Sequence, residues 1–564
     1  MTHQSADNDR WQRRSFSGRM RRFNRHVTNY RKSLTRLVGT VLVASLMWGC
    51  TEEGQTRTTN ETILTIGSAE EPQTLDPQYG LFGQIQQATF PAVFEPLFFR
   101  ELDGKTIYPL LAEGYQFIDP LTVQINLKQG LVFSDGTEFN ADDVVFTLNR
   151  LADPPGASIP IKYVTDAIAN VVAIDPFKVT VHLNEPTPNF IGYLMEVPML
   201  SAQIGDAAPA DFNKLDAAIG TGPYKFAEWR RGDMIEYVRN PYFRDEPAPW
   251  EKVVLKFIPN HAARVAALLA GDIDLTNYIP TTDVKRLERA EDVTVTTVPA
   301  NRALYFHIDI ERGNSPFVTA KNGQPIENPL KDVRVRRALS LAIDRDLIVE
   351  KILDGYASPA AQWIAPGYIG HEPTINDVTP DRSRARQLLI EAGFSDGFAM
   401  TLHGTAGLYG PDRRILQAMA AMWEKIGLKV EVDAIPAGVY WGRWANREFS
   451  VSLSSYGLQY YRTAPIVSVT LDTDGYDNIG GYSNSQVDLL LAQANAAHVS
   501  DQQEQLASIA RITADDVALL PIYHFKYVFG YRSDRVSYQP THNVRDLEIL
   551  NAAPIAQSQV TQVR

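Results

Sequence analysis

Between Tyr440 and Arg462 the chain concentrates side chains able to hold a ligand: Tyr440, Trp441, Trp444, Phe449, Tyr456, Tyr460 and Tyr461, interleaved with Arg443, Arg447 and Arg462. Flat aromatic faces bury ligand surface at low entropic cost, and a guanidinium can clamp a carboxylate or phosphate through two parallel hydrogen bonds. Residues 449–456 also alternate as a strand does, so half of them could serve as ordinary core. Arg462 has three readings of its own: contact with an anionic ligand group, an ordinary surface residue, or an ion pair with Asp472 or Asp474.

Motifs that would carry covalent chemistry fail on inspection. Gly104-Lys105-Thr106 ends like a phosphate-binding loop, but Phe99 stands where the first Gly belongs. Gly220-Thr221-Gly222 opens like a dinucleotide fingerprint, yet Lys225 occupies the third Gly position, which leaves a turn. No GxSxG or HExxH occurs, and the 10 His are scattered, so neither a nucleophile elbow nor a zinc helix is visible and no cofactor is expected. Metal held directly would want clustered His or carboxylates, which the aromatic region lacks. His371-Glu372 reads as a solvated pair rather than a proton relay. Asp142 and Asp143 point about 100° apart on a helix, where first-turn acids are explained by the dipole.

At 564 residues the chain exceeds one hydrophobic core, so two or three lobes are expected. The formal charge is −12; residues 1–49 hold ten Lys or Arg against two Asp, so removing them leaves −20. Such an acidic body excludes nucleic acid as a partner, because phosphates need a basic footprint. Basic residues crowd positions 10–36, and Leu37 to Gly49 is an uncharged run of 13 residues ending at Cys50. That is a signal-peptide layout, too short for a spanning helix of about 20 residues. Leu46-Met47-Trp48-Gly49-Cys50 resembles a bacterial lipoprotein signal, with Cys50 becoming the lipidated first residue; an ordinary secretion signal beside an incidental thiol is the alternative. Cys50 has no second Cys to pair with. Arg13-Arg14-Ser15-Phe16 is similar to a twin-arginine signal but stands far from the apolar run, which points to chance or to Met20 as the start. Residues 50–60 read as a polar tether.

The body alternates strands and helices, as α/β lobes do. Leu121 to Leu127 alternates as a half-buried strand; Ser134-Asp135-Gly136-Thr137 turns the chain; Asn140 caps a helix whose apolar face is Val144, Val145, Leu148 and Leu151. Ile63 to Ala69 predicts a strand, Asn170 to Leu183 two strands split at Asp175-Pro176, and Ala262 to Ala270 a helix closed by Gly271. Leu304 to Ile310 and Lys429 to Ile435 read as strands. Ser383 to Ala392, Ile415 to Ile426 and one long run from Val333 to Leu353 read as helices.

The run LKQGLVFSDGTEFNADDVVFTLNRL, Leu127 to Leu151, resembles the signature segment of the family 5 extracytoplasmic solute-binding proteins of ABC transporters, which include oligopeptide-, dipeptide- and nickel-binding proteins. TLDP at Thr74 to Pro77, FEPLF from Phe94, RNPxY at Arg239 to Tyr242, VRVRRALSLAIDRDLI, ARQLLIEAGF, MWEKIGLKVEV, YSNSQVD and LPIYHF resemble the same family, in consistent order from Ile63 to Phe529. The resemblance implies an α/β, periplasmic-binding-protein-like Venus flytrap of three lobes, two of them closing around the ligand. Lobe I would comprise about 60–96, 180–299 and 525–555, lobe II 97–179 and lobe III 300–524, with ligand between lobes I and III.

The implied protein is a monomeric binding component that is not an enzyme. It would be anchored at the membrane in the periplasm or at the cell surface, and would deliver a peptide or peptide-like solute to ABC permease subunits. A sensor-coupled receptor, a binder of a non-peptide and anionic solute, and a secreted hydrolase with an unrecognised site are the alternatives. In peptide-binding relatives a W-x-x-D segment lines the cleft, its Asp pairing with the ligand's α-ammonium. Here the corresponding residues are Tyr456-Gly457-Leu458-Gln459. Tyr456 keeps the lining role, but Gln459 carries no charge, and no Asp or Glu lies between Glu448 and Asp472. Either a carboxylate from another segment substitutes or the ligand is not an ordinary peptide. By family position Tyr79 and Phe82 in the first loop, Asn301 and Tyr305 at the lobe crossover, and Tyr409 join Trp441, Tyr456, Gln459, Tyr460 and Arg462 as candidate ligand contacts.

Overall fold

Two long strands, Val293–Ile308 and Leu519–Arg532, form the spine of the computed structural model. Rich in Val, Thr, Tyr and Phe, they favour extended backbone. They pair antiparallel from Val293↔Arg532 to His307↔Leu519, with register shifts between Pro299 and Ala303 and again between Leu304 and Tyr305. Pro299 brings no N–H to the ladder, which suits it to an irregular step. The structure describes residues 62–79, 89–100, 106–152, 162–277, 279–458, 462–540, 549 and 552–555.

On one flank of this spine run Leu275–Asn277, Ile63–Ser68, Lys252–Phe257, Met234–Arg239 and Tyr224–Arg230. On the other run Val451–Gly457, Ala399–Thr405 and Val318–Thr319, with Lys429–Ile435 parallel to Ala399–Thr405. The two halves of the spine therefore enter different cores. Val298, Tyr527 and Phe529 pack with Leu64, Phe94, Tyr237 and Leu255. Leu304, Phe306, Ile308, Leu520 and Ile522 pack with Leu339, Trp423 and Leu453. Alternation sends Ala303 and Tyr305 to the opposite face, against Trp363, Val467 and Leu491.

A separate antiparallel sheet, Ala112–Asp119, Thr122–Leu127, Lys178–Leu183 and Ile168–Asp175, is covered by the helix Ala141–Ala152. That helix starts where its sequence says: the Asn140 side chain accepts from the Asp142 N–H at 2.8 Å, and Asp143 accepts from the Asn140 N–H at 2.8 Å. Asp143 also accepts from the Ala202 N–H at 2.7 Å, so this buried acid fastens the helix to the next segment.

Other residues of the ordered motifs act as braces too. Asp76 of TLDP meets Arg150 at 2.6 Å, both buried, and the same guanidinium donates to Gln78 Oε1 at 2.6 Å. Glu95 and Arg244 form a two-pronged pair at 2.7 and 2.8 Å. Gly220 and Gly222 explain the aborted dinucleotide fingerprint: a Cβ there would lie 2.0 Å from Val93 O and 2.5 Å from Ala92 O, so the backbones touch directly.

One expectation fails. The predicted helix from Val333 to Leu353 is two helices, Val333–Ala342 and Arg345–Ile352. Ile343 is extended, and the Asp344 side chain accepts from the Leu347 N–H at 3.0 Å, restarting the helix as a new N-cap. Buried Arg345 reinforces the break by donating to the carbonyls of Ser340 and Pro521.

Candidate ligand-binding site

Strands Val293–Ile308 and Val451–Gly457 pair Ala303 with Tyr456 and Tyr305 with Ser454, so these four residues share one face. Tyr305 is 1% exposed; its ring lies 5.5 Å from Trp363 and 5.2 Å from His307. Burial pushes the Tyr305 hydroxyl's pKa up and holds His307 neutral, its pKa lowered to about 3. Tyr456 is half-buried; burial first, then Tyr476 and Asp477, raises its pKa.

Asp477 belongs to the loop between helices Thr463–Leu471 and Ser485–Ala496. Its backbone N–H donates to Val469 O at 2.8 Å, and Asn478 beside it donates to Asp472 O at 3.0 Å and Tyr482 O at 2.6 Å. Gly480 O accepts from the Ile310 N–H at 2.9 Å, stitching the loop to the end of the long strand. Desolvation raises the half-buried Asp477 carboxyl to about 6. Asp477 acts electrostatically on both Tyr305 and Tyr456.

Tyr409, its ring 6.1 Å from Phe525, adds to the electrostatic environment of Tyr305, Tyr440 and Tyr523. Its turn is built on Asp412, fully buried, which accepts from the N–H groups of Gly407, Leu408 and Tyr409 and from the Thr405 hydroxyl. Such an acid, saturated with donors, positions Tyr409 rather than meeting a ligand.

The aromatic run divides. Tyr440, Trp444 and Phe449 are core: Tyr440 is 0% exposed, donates to Leu453 O at 2.5 Å and stacks on Phe449 at 5.3 Å. Trp441 is half-buried on the edge of that small core, 5.2 Å from Tyr440 and 5.4 Å from Trp444. Asn301 donates to Leu458 O at 2.7 Å and accepts from the Tyr527 hydroxyl at 3.0 Å, so its side chain pins the crossover.

Arg462 does not take the Asp472 or Asp474 partner offered by the sequence. Its guanidinium lies 3.7 Å from the Tyr163 ring centroid and 3.8 Å from Glu196, reaching across to the smaller sheet's core region. Tyr79 sits apart from the tyrosine group, beside Asp76 and Arg150. His371-Glu372 is no relay: His371 Nδ1 bonds to Ile364 O at 2.9 Å and Glu372 pairs with Arg511. Phe82, Gln459, Tyr460 and Cys50 lie outside the described residues.

Tyr305 and Tyr456 share one strand face, and Tyr409 and Asp477, the latter passed over in the sequence, act on Tyr305 electrostatically. Nothing in the periodicity of a Gly- and Asp-containing loop marks Asp477. The single signal available was negative, the lack of any acid between Glu448 and Asp472. Among the described residues no group of three or more His, Cys, Asp or Glu could hold a metal ion, and no helix is long and apolar enough to cross a membrane.

Comparison with known proteins agrees with this architecture. The family model described as bacterial extracellular solute-binding proteins, family 5 Middle, matches residues 106–478. The glutathione-binding protein GsiB of Escherichia coli is 28% identical over 477 residues, covering 81% of this chain and 86% of GsiB. The ABC transporter substrate-binding protein CtaP of Listeria monocytogenes superposes with a TM-score of 0.73 at 26% identity, covering 88% of this chain and 99% of CtaP. DppA of Helicobacter pylori, solved with the peptide STSA, shares the fold at a TM-score of 0.69 and 21% identity, covering 87% and 98%. The chain belongs to family 5 of the bacterial extracellular solute-binding proteins, the ABC-importer group, and has their Venus-flytrap-like α/β fold.

Proposed function

We propose that this protein captures a peptide or peptide-derived solute and delivers it to the permease of an ABC importer. The observation that carries the reading is the shared strand face of Tyr305 and Tyr456, with Tyr409 and Asp477 in electrostatic reach of Tyr305. Buried aromatic surface with a few fixed polar groups suits noncovalent capture of a small organic molecule. GsiB and DppA, a glutathione binder and a peptide binder, support the solute class.

Binding energy is spent on closing lobe I, about 60–96, 180–299 and 525–555, against lobe III, about 300–524, around the stepped register at Pro299 to Ala303. Lobe II, about 97–179, shares its core with the start of lobe I's second segment, since Phe190, Leu194 and Met199 pack with Val123 and Val181. Gln459 and Tyr460, next after Leu458 in the chain, are ligand contacts by family position, and Cys50 holds the chain at the membrane as a lipoprotein. Arg462, engaged by Glu196 and Tyr163, counts against an anionic solute as the main cargo.

Native mass spectrometry of the protein purified without denaturation tests the class: a retained adduct that fragments as a peptide or peptide conjugate is expected. An adduct without an amide would overturn it.

A further inference from the structure

We propose that residues 163–196 and 462–499 form a latch between the lobes, with Arg462 and Asn189 as its two hooks, so that the protein opens only when both let go. The inference goes beyond solute capture and rests on the lobe division proposed above. Tyr163 belongs to lobe II, Asn189 and Glu196 to the segment that shares lobe II's core, and residues 462–499 to lobe III.

Both hooks stand at a helix N-terminus, and neither does what that position favours. Asn189 precedes helix Phe190–Leu194, where an Asn side chain ordinarily accepts from first-turn N–H groups; it makes no such bond. Instead its Oδ1 accepts from the Val499 N–H at 2.8 Å and its Nδ2 donates to Ala497 O at 3.3 Å, with Asn189 8% exposed. Arg462 precedes helix Thr463–Leu471, where the dipole favours an acid over a cation. Its guanidinium lies 3.7 Å from the Tyr163 ring centroid and 3.8 Å from Glu196 Oε2. The Tyr163 hydroxyl donates to that same carboxylate oxygen, and the Tyr193 ring meets Tyr163 edge-on at 5.0 Å. Each position gives up a local stabilisation for a contact with a distant segment.

Two bodies joined by crossing strands turn about those strands, here Val293–Ile308 and Leu519–Arg532. The hooks and their partners sit on helices and turns outside this spine, so a rotation about it pulls them apart. Ile107 and Met195 give the junction an apolar floor, since both pack against the smaller sheet's core and against the core around Tyr305 and Trp363.

The wetness of the pair suits it to parting. The Arg462 and Glu196 side chains keep 18% and 29% of their exposure, against 5% and 0% for Arg150 and Asp76. Separating the dry pair strands two buried charges; separating the wet one returns each charge to water that already reaches it. The hook is also set by the cleft. Leu458 is clamped to Asn301 by two hydrogen bonds of 2.7 Å, and three residues lie between Leu458 and Arg462. The strand that carries Tyr456 therefore ends almost at the latch.

The test is pulsed electron–electron distance measurement on solute-free protein with nitroxide labels, in a Cys50→Ser background that leaves no other thiol. Gln116→Cys with Glu424→Cys reads lobe II against lobe III, and Gln116→Cys with Ala227→Cys reads lobe II against lobe I; all three positions are exposed. With the latch intact, one short distance between lobes II and III is expected. Asn189→Ala and Glu196→Gln should each raise the ratio of long to short distances about 5- to 10-fold, and together the two factors should multiply. Arg462→Lys, which keeps the charge for Glu196 but not the flat stack on Tyr163, should fall between the intact latch and Arg462→Ala. The lobe I to lobe II distance should stay fixed throughout. Identical lobe II to lobe III distances in every variant, or an intact latch already spread over long distances, overturns the latch and leaves solute capture standing. A lobe I to lobe II distance that changes overturns the lobe division itself, and the latch with it.

Discussion

Replacing Asp477 by Asn should make the protein more stable at pH 8. In the fold the carboxyl holds its proton up to about pH 6, against an ordinary value of 3.8. The folded state therefore binds more protons than the unfolded chain between those two values, so stability falls as pH rises through that window and the penalty is complete above it. A shift of about two units is worth about 3 kcal/mol at 1.36 kcal/mol per unit. Partial exposure screens it, which leaves about 1–2 kcal/mol. Asn keeps the shape without the charge. Urea denaturation of solute-free wild type and Asp477→Asn at pH 8, 6 and 4 should show the variant ahead at pH 8 and the gap closing towards pH 4. A variant no more stable than wild type at pH 8, or a gap that does not depend on pH, would refute the assignment of an uncompensated charge.

Two further perturbations test other parts of the molecule. Arg150→Ala strands the buried Asp76 carboxylate and should cost about 3–5 kcal/mol, read as a drop in urea midpoint; a loss under about 1 kcal/mol would mean that the pair is not a brace. Cys50→Ser should move the protein from the membrane to the soluble fraction after cell lysis, and continued partitioning into detergent would refute lipidation.

The gain predicted for Asp477→Asn reflects the cost of a half-buried charge without a partner among the described residues. The motif acids make the opposite case. Asp76, Glu95 and Asp143 are all paired within the fold, where they brace segments against one another.

Local signals in the sequence determined a good part of this protein. Asn140 starts its helix because cap, dipole and apolar spacing all lie within a dozen residues, and Gly271 ends one because only its own φ of 77° is at stake. The ordered motifs determined the family for the same reason, being contiguous in the chain. The break at Ile343-Asp344 escaped because helical periodicity continues through it, and what tips the balance is Arg345 reaching Pro521 O, 176 residues away.

Tertiary structure alone decided the site. Which of the clustered aromatics are core depended on the sheet face that each one meets: Tyr440 and Phe449 turn inward, and Tyr456 lies half-open. Arg462 found Glu196 instead of the nearby Asp472, a choice set by how two distant cores abut. The Asp477 carboxylate is half-buried yet has no hydrogen bond or ion pair among the described residues. Desolvation and the absence of a neighbour are properties of the surrounding volume, and no stretch of sequence carries them.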